Sequence, residues 1–221
     1  MINLIKNTLA VCCLMGFAVT QSTALAQNAG MGGGMGGAAT VTDLTHDLSE
    51  VQAGNYVLEH DHGRVHWSVS HHGFSIFTAV FPLIDATLDF NPEDISKSQL
   101  EVTVDMTAVD SSIEVFDERL NSEAWFDTAK YPNAVFKATD IKPTGDNTFS
   151  VTGGLTFMGQ TNPLTMDVTF VKAANVSRPP GGYRVGFDAT AKMIRSEWGM
   201  PKSTVGDEVS LNIEAEFIRP Q

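Results

Sequence analysis

Apolar and polar residues alternate along most of the chain between Tyr56 and Phe217. Successive side chains of a β-strand point to opposite faces, so this alternation predicts strands with one apolar and one polar face. In the last run, Val209, Leu211 and Ile213 are separated by polar residues. Charged side chains fall almost entirely on the polar positions. A sheet of this kind encloses an apolar interior when it curls on itself.

The predicted strands follow one another at regular intervals, and the short first one can merge with the second. Turn-forming residues separate them at 91–94, 143–147, 159–162 and 179–182. Residues 111–128 instead carry apolar residues at helical spacing and predict a short helix. The pattern favours an all-β fold, an antiparallel up-and-down barrel of about eight strands with one short helix over the lumen. The predicted strands are 56–59, 64–71, 79–90, 98–108, 133–141, 148–157, 163–172, 183–194 and 207–219.

Residues 1–26 have the pattern of a secretory signal peptide. Lys6 is their only charge, an apolar run covers 9–19, and Ala24-Leu25-Ala26 is an A-x-A cleavage site. We therefore expect cleavage after Ala26 and export to the periplasm. Both cysteines lie in the removed segment, which excludes disulfides, thiolate metal sites and a cysteine nucleophile from the mature chain.

Residues 27–54 are predicted to be a linker and N-terminal extension, followed by the barrel domain at 55–221. Residues 28–40 are rich in glycine and uncharged, which is typical of a flexible linker. Met31 and Met35 within it could be soft ligands for copper, although a linker alone explains them. Residues 41–53 show weak helical periodicity and have no assigned role.

The formal net charge of −12 makes the chain acidic. Nucleic acids and anionic lipid surfaces repel such a protein, so we expect neither a nucleic-acid partner nor stable membrane insertion. A ligand that comes from a membrane would have to be taken up in a pocket.

Five histidines lie close together in the sequence, at His60, His62, His66, His71 and His72. In a strand, His60 and His62 would point to the same side, as a metal site requires. The spacing specifies no third or fourth ligand, so a polar rim is the alternative, and we predict no metal site. The chain has no G-x-S-x-G or H-E-x-x-H motif and no phosphate-binding loop, and we predict no enzymatic activity.

Most of the phenylalanines occupy apolar positions of the predicted strands. An eight-stranded barrel can fill its interior with such side chains or hold one small ligand. Small residues at the same positions favour a lumen over a packed core, namely Ala86, Gly153, Ala189, Ala191 and Ala215.

Several short motifs occur in a fixed order between residues 56 and 219. The first contains Tyr56, Glu59, His62, Trp67 and the sequence His71-x-Gly73. The others are RLNSEAWFD at 119–127, KYPNAVF at 130–136, VTGGLTFMGQTNP at 151–163 and RSEWGM at 195–200. In these motifs the chain resembles the YceI-like polyisoprenoid-binding proteins.

Three positions depart from the motifs of that family. Glu59 stands where the family has aspartate, Gly63 where it has serine, and Arg119 where it has histidine. The resemblance implies an exported lipocalin-like barrel that carries a long isoprenoid, such as a polyprenyl or quinone tail, with no cofactor and no reaction of its own. An exposed barrel edge would also favour a homodimer.

The resemblance also suggests roles for individual residues. Phe116, Leu120, Trp125 and Phe126 would cover the lumen as a lid. His62, His71 and Arg195 would contact a head group or form a polar cluster with Glu59 or Glu197. The residues expected to contact the tail are Trp67, Phe81, Leu88, Phe90, Phe136, Phe157, Phe170 and Phe187.

Two other functions stay open at this point. One is a stress or assembly factor whose barrel is packed shut and which acts through its surface. The other, a metal-binding protein, would use His60, His62 or His66.

Overall fold

The computed structural model describes residues 39–220, so the predicted signal peptide and residues 27–38 of the predicted linker lie outside the described residues. The single α-helix among the described residues is α1 (Glu114–Asn121), and four short 3₁₀ turns cover Leu48–Glu50, Ile95–Lys97, Met106–Ala108 and Arg195–Trp198. The strands are β1 (Val41–Thr45), β2 (Gly54–Leu58), β3 (Arg64–His71), β4 (Ser75–Phe81), β5 (Ile84–Phe90), β6 (Gln99–Asp105), β7 (Asn133–Gly145), β8 (Thr148–Phe157), β9 (Gln160–Val176), β10 (Gly182–Ile194) and β11 (Val205–Ile218).

The strands form a closed antiparallel barrel. Strands β2 and β3 both pair with β11, while β5 pairs with β2 and β4 pairs with β3. Strands β2 and β3 therefore share one position around the barrel and form one bent stave, and β4 and β5 form the next. The order around the barrel is then β2/β3, β4/β5, β6, β7, β8, β9, β10 and β11, which closes onto β2/β3. The predicted eight-stranded barrel is confirmed. The first two predicted strands remain separate as β2 and β3 and share one stave, and the predicted strand 79–90 is divided into β4 and β5.

The apolar positions of the strands face the interior. Along β5, Ile84, Ala86, Leu88 and Phe90 are buried and the residues between them are exposed. The same alternation begins β8 and β10. Burial of this row of side chains is the main favourable contribution to closing the barrel.

Residues 41–45 form strand β1, so the helical interpretation of residues 41–53 is wrong. Only the 3₁₀ turn Leu48–Glu50 is helical in this segment. Strand β9 extends beyond the last pairing of β8, which joins Thr148 to Thr169. Strand β1 pairs with the part of β9 that β8 leaves free, with Val41 opposite Val176 and Thr45 opposite Ala173. Pairing with the exposed edge of β9 determines that residues 41–45 form a strand. The local sequence pattern carries no information about such pairing.

The turn predicted at 159–162 is shorter and lies earlier in the chain. Met158 and Gly159 alone connect β8 to β9, with φ angles of 50° and 74°, and Phe157 pairs with Gln160. Positive φ at both central residues is the requirement of a type I′ hairpin turn. The predicted turn residues after Gly159 therefore belong to β9.

The predicted helix at 111–128 is shorter in the structure. Helix α1 ends at Asn121, and the chain then turns back so that the Phe126 amide donates to the Leu120 carbonyl at 2.9 Å. This segment lies beside β4, whose outer edge makes only the isolated Val80–Asp110 bridge among the described strands. The Phe116 and Phe77 rings, 5.9 Å apart, join α1 to this stave. The helix thus stands at one end of the barrel, as predicted.

Candidate ligand-binding lumen

The barrel interior contains a cavity of about 550 Å³, which we call the outer cavity. Most of its wall comes from β3, β4, α1, the segment 125–126 and the segment 200–205, and β6, β7, β8, β10 and β11 add one or two residues each. Some of its lining residues, such as Ile76 and Ser203, are exposed, so the cavity opens to solvent at this end. A volume of this size lies in the range of small-molecule sites, roughly 300–1,000 Å³.

A second cavity of about 150 Å³, the inner cavity, lies further inside the barrel. Ser98 is its only polar lining residue; the others are aliphatic, aromatic or methionine side chains. Four residues line both cavities, which are therefore adjacent along one lumen: Val65, Val104, Leu155 and Leu211. An elongated apolar molecule fits such an arrangement better than a compact one.

The structure distributes the predicted lumen residues over both cavities. Phe170 alone lines neither; it is 2% exposed and packs on Phe187 with ring centroids 5.9 Å apart. The outer cavity has Trp67, Phe81, Phe116, Leu120, Trp125, Phe126 and Phe157. The inner cavity has Leu88, Phe90, Phe136 and Phe187.

Phe126 is the centre of an aromatic cluster in the outer cavity. Its ring lies 5.8 Å from Phe157, 6.0 Å from Phe81 and 6.2 Å from Trp67. The turn that follows α1 inserts this side chain between staves on opposite sides of the barrel. Phe116 on α1 is 38% exposed, so the helix covers the lumen only in part.

Arg195 lies buried in the wall of the outer cavity, 4% exposed. Its Nε donates to the Gly206 carbonyl at 2.8 Å, and its Nη2 donates to Ser203 Oγ at 3.0 Å and to the Val205 carbonyl at 3.1 Å. All three acceptors are neutral. Within residues 39–220, no carboxylate lies within ion-pair distance of this guanidinium.

Two tryptophans differ in how their indole N–H groups are satisfied. Trp198 Nε1 donates to the Leu155 carbonyl at 2.9 Å. Trp67 Nε1 is buried and has no hydrogen-bond partner, although the ring lines the outer cavity. Such a buried, unpaired donor costs about 1–3 kcal/mol.

His62 lies outside both cavities, in a polar cluster with the buried Glu59. His62 Nδ1 bonds to the Glu59 carboxylate, and Arg184 pairs with Glu216 beside them. Burial raises the pKa of Glu59, but the His62 hydrogen bond and the charges of His62 and Arg184 outweigh it and hold the pKa below its ordinary value. His71 lies apart from this cluster and lines the outer cavity, while Glu197 is exposed.

The same cluster contains the group of three possible metal ligands found among residues 39–220. The ligand atoms of Glu59, His62 and Glu216 lie within 4.8 Å of one another. Arg184 supplies a positive charge there, and His62 bonds directly to Glu59, so the donors already satisfy one another. His60 contacts the Ile84 carbonyl, and His66 is exposed on β3. The three histidines considered for a metal are therefore not assembled into one site.

Sequence reasoning missed several lining residues. Ile76 and Phe77 were left out because the predicted strand began at residue 79, whereas β4 begins at Ser75. Arg119 was considered only as a departure from a motif. Some of the other missed side chains come from turns and strand ends, where alternation gives no signal: Met106, Met200, Ser203, Thr204 and Val205.

The small residues expected to leave room in the lumen have two different roles. Ala86, Ala189 and Ala215 line the inner cavity, as expected. Ala191 and Gly153 line neither cavity, contrary to the prediction. A Cβ on Gly153 would lie 2.6 Å from Phe136 Cζ and 2.2 Å from the Lys137 carbonyl oxygen. The space beside this glycine is filled by the neighbouring strand.

A sequence model of the YceI-like domain matches residues 56–217 of this barrel. The chain belongs to the YceI-like family. Protein YceI of Escherichia coli is 30% identical over 185 residues, which cover 81% of this chain and 95% of that one. Among the described residues, no helix has the length and apolar character needed to cross a bilayer.

Solved structures show the same fold. The YceI protein of Campylobacter jejuni aligns over 69% of this chain and 90% of its own, with a TM-score of 0.61 and 25% identity. A polyisoprenoid-binding domain from Saccharophagus degradans aligns over 76% of this chain and all of its own, with a TM-score of 0.55 and 11% identity. At that identity the second likeness concerns the fold alone.

Proposed function

We propose that this YceI-like protein is a periplasmic carrier for a long-chain isoprenoid lipid, with the tail in the barrel lumen and no reaction of its own. The observation that carries the proposal is the pair of adjacent cavities, about 550 and 150 Å³, with almost wholly apolar walls in the inner part. The structural neighbour from Saccharophagus degradans, described as a polyisoprenoid-binding domain, supports it.

The energetics of tail burial agree with a site of this kind. Each buried methylene contributes about 0.8 kcal/mol, so a five-carbon isoprene unit contributes roughly 3–4 kcal/mol. A few units therefore provide strong binding, with non-covalent affinities limited to about −20 kcal/mol. The tail would supply most of the affinity, so the lumen walls need only a complementary shape and an apolar surface.

The proposal assigns different parts of the ligand to different residues. In the inner cavity, Phe90, Phe136 and Phe187 would contact the end of the tail. In the outer cavity, Phe126 and Trp67 would contact the part nearer the head. Phe170 would act indirectly, by supporting the ring of Phe187.

Exposed apolar side chains also lie next to lining residues of the outer cavity. Phe74, 92% exposed in the β3–β4 turn, precedes the lining residues Ser75 and Ile76, and the exposed Val115 precedes Phe116 on α1. Exposed apolar groups grouped in this way are typical of an interaction surface. They favour a mouth through which an apolar ligand passes. The alternative of a surface-acting factor needs a barrel packed shut, which does not fit the cavities.

Mass spectrometry of the organic extract tests the proposal directly. The protein would be purified from its own periplasm, and we expect one isoprenoid at close to one molecule per chain. The same preparation would show an N-terminus at Gln27 if the signal peptide is removed as predicted. An empty barrel that also takes up no polyprenol, polyprenyl phosphate or quinone would refute the carrier function.

A pair of variants on β5 tests whether the lumen is the site. Leu88 is buried and lines the inner cavity, whereas Thr87 beside it is exposed. Leu88→Arg places a charge among the tail contacts and should abolish lipid recovery, while Thr87→Arg should retain it. Circular dichroism establishes that both variants fold. Normal lipid recovery by folded Leu88→Arg would place the lipid elsewhere.

A further inference from the structure

The permanently charged residues of the lumen are all of one kind. Arg119 and Arg195 line the outer cavity together with the imidazoles of His71 and His72, and no arginine, lysine, aspartate or glutamate of residues 39–220 lines the inner one. None of the 26 aspartates and glutamates of the chain lines either cavity, although the net charge is −12. The outer cavity is therefore a local cationic site in an acidic protein, and it attracts an anionic group.

Arg195 gives this cationic character a fixed position. Buried charges in proteins are normally paired, because an isolated one loses its hydration without compensation. Arg195 is 4% exposed and bonds only to a serine hydroxyl and two backbone carbonyls. Those contacts orient the guanidinium against the cavity, and no carboxylate among residues 39–220 forms a direct ion pair with it. The Asp207 carboxylate feels its charge only from beyond ion-pair distance, and it is itself bound to Ser196 and paired with Lys202.

The two cavities therefore differ in what they offer a ligand. The outer cavity has the positive charges of Arg195 and Arg119, whereas the inner cavity is lined by apolar side chains and Ser98. Trp67 adds no donor to the outer cavity, because its Nε1 is buried although its ring lines the wall. An anion with acceptor oxygens complements the outer cavity, and a hydrocarbon chain complements the inner one.

We infer that the lipid carried in this barrel has an anionic head group, a phosphate or a carboxylate, which lies in the outer cavity against Arg195 and Arg119. This inference rests on the proposed function and sets the direction of the ligand, with the tail pointing into the inner cavity. It selects isoprenyl phosphates and isoprenoid acids over neutral isoprenols and quinones. Arg119 is exposed at the mouth, where it can follow the head group as the ligand enters.

The experiment compares three probes on the purified protein after its lipid has been removed. Farnesyl phosphate, farnesol and inorganic phosphate are titrated while tryptophan fluorescence is followed. We expect farnesyl phosphate to bind at least about tenfold more tightly than farnesol, because charge-assisted hydrogen bonds are roughly twice as strong as neutral ones. Inorganic phosphate should bind far more weakly than either lipid.

One arginine variant tests the cationic site without disturbing the buried wall, and a second serves as its control. Arg119→Gln should lower the affinity for farnesyl phosphate by about two- to fivefold and leave farnesol unchanged, as expected for an exposed charge pair worth up to about 1 kcal/mol. Arg178→Gln removes the same charge from an exposed turn that lines neither cavity, and it should change neither affinity.

The outcomes separate this inference from the proposed function. Equal binding of farnesol and farnesyl phosphate, unchanged by Arg119→Gln, would overturn the anionic head group and leave the carrier function standing. Binding of neither lipid would overturn the carrier function itself. Inorganic phosphate binding as tightly as farnesyl phosphate would show an anion site with no lipid, and would also overturn the inference.

Discussion

Glu59 shows how one residue combines structural roles that its sequence position alone does not reveal. Its backbone amide donates to the Glu216 carbonyl at 2.7 Å, where β2 ends against β11. Its side chain, 7% exposed, bonds to His62. The glutamate therefore links the end of β2 to β11 at the point where the β2/β3 stave bends. The motif placed Glu59 and His62 together, but only the fold adds Arg184 and Glu216.

The lowered pKa of Glu59 predicts how stability depends on pH. An acid whose folded pKa lies below its unfolded value, about 4.3, stabilises the fold above that value and loses this contribution as the pH falls through the folded pKa. We therefore expect the free energy of unfolding to decrease below about pH 4, and to decrease less steeply in Glu59→Gln. Urea unfolding at a series of pH values measures both curves.

A matched substitution controls for the loss of any carboxylate. Glu208→Gln removes an exposed glutamate that pairs with Lys192 on the polar face of β11. The decrease in its free energy of unfolding below about pH 4 should be close to that of the original protein. Parallel curves for the original protein and Glu59→Gln would contradict the role assigned to Glu59.

At the scale of elements, Gly153 reveals a constraint between β7 and β8. Strand β7 has an irregular register between Ala138 and Asp140, directly opposite this glycine on β8. A glycine in a strand commonly marks a bulge or a close backbone approach. Here the Lys137 carbonyl approaches so closely that a Cβ would lie 2.2 Å from it.

Two neighbouring glycine substitutions test this constraint. In Gly153→Ala the new methyl group meets backbone, which cannot move aside, so we expect a loss of about 1–3 kcal/mol in the free energy of unfolding. In Gly154→Ala the nearest atom is Thr161 Cγ2 at 3.2 Å, and the change should be small. Urea denaturation compares the two. Equal stability of both variants would show that β7 and β8 are not so constrained.

The elements also show which features a sequence pattern can predict. Strands such as β5, with one buried face, were predicted because alternation reports burial directly. Strand β1 was missed because it forms only against the edge that β9 exposes. The β8–β9 turn was misplaced because Met158 has a positive φ, which residues other than glycine rarely adopt. The sequence therefore suggested a turn that begins at Gly159.

For the whole molecule, closure of the barrel determines the candidate site. Alternation predicted an apolar interior, and the family motifs predicted most of its aromatic lining. Neither predicted that the interior divides into two adjacent cavities, because that depends on where Phe126 enters between the staves. Alternation did predict that charged side chains stay off the apolar face, but not that Arg119 and Arg195 line the outer cavity, because they come from helix α1 and from the 3₁₀ turn that follows β10.

The division of the lumen predicts that the protein measures the length of its ligand. Ala215 on β11 lines the inner cavity opposite Phe187. In Ala215→Phe a ring would fill much of the 150 Å³ available there, so the end of a long tail would have no place. Isoprenyl phosphates of two, three and four units should bind the original protein with affinity that rises about tenfold or more per unit. In the variant this gain should stop once the outer cavity is filled.

The comparison needs a variant with the same added ring outside the lumen. Asn212→Phe places it on the exposed face of β11, and its length dependence should match that of the original protein. Thermal unfolding establishes that both variants fold, and Ala189→Val gives a smaller filling of the same cavity if the phenylalanine is not tolerated. Because short ligands use only the outer cavity, their affinity should be equal in all these proteins. A length dependence that is unchanged in folded Ala215→Phe and Ala189→Val would show that the tail does not reach the inner cavity.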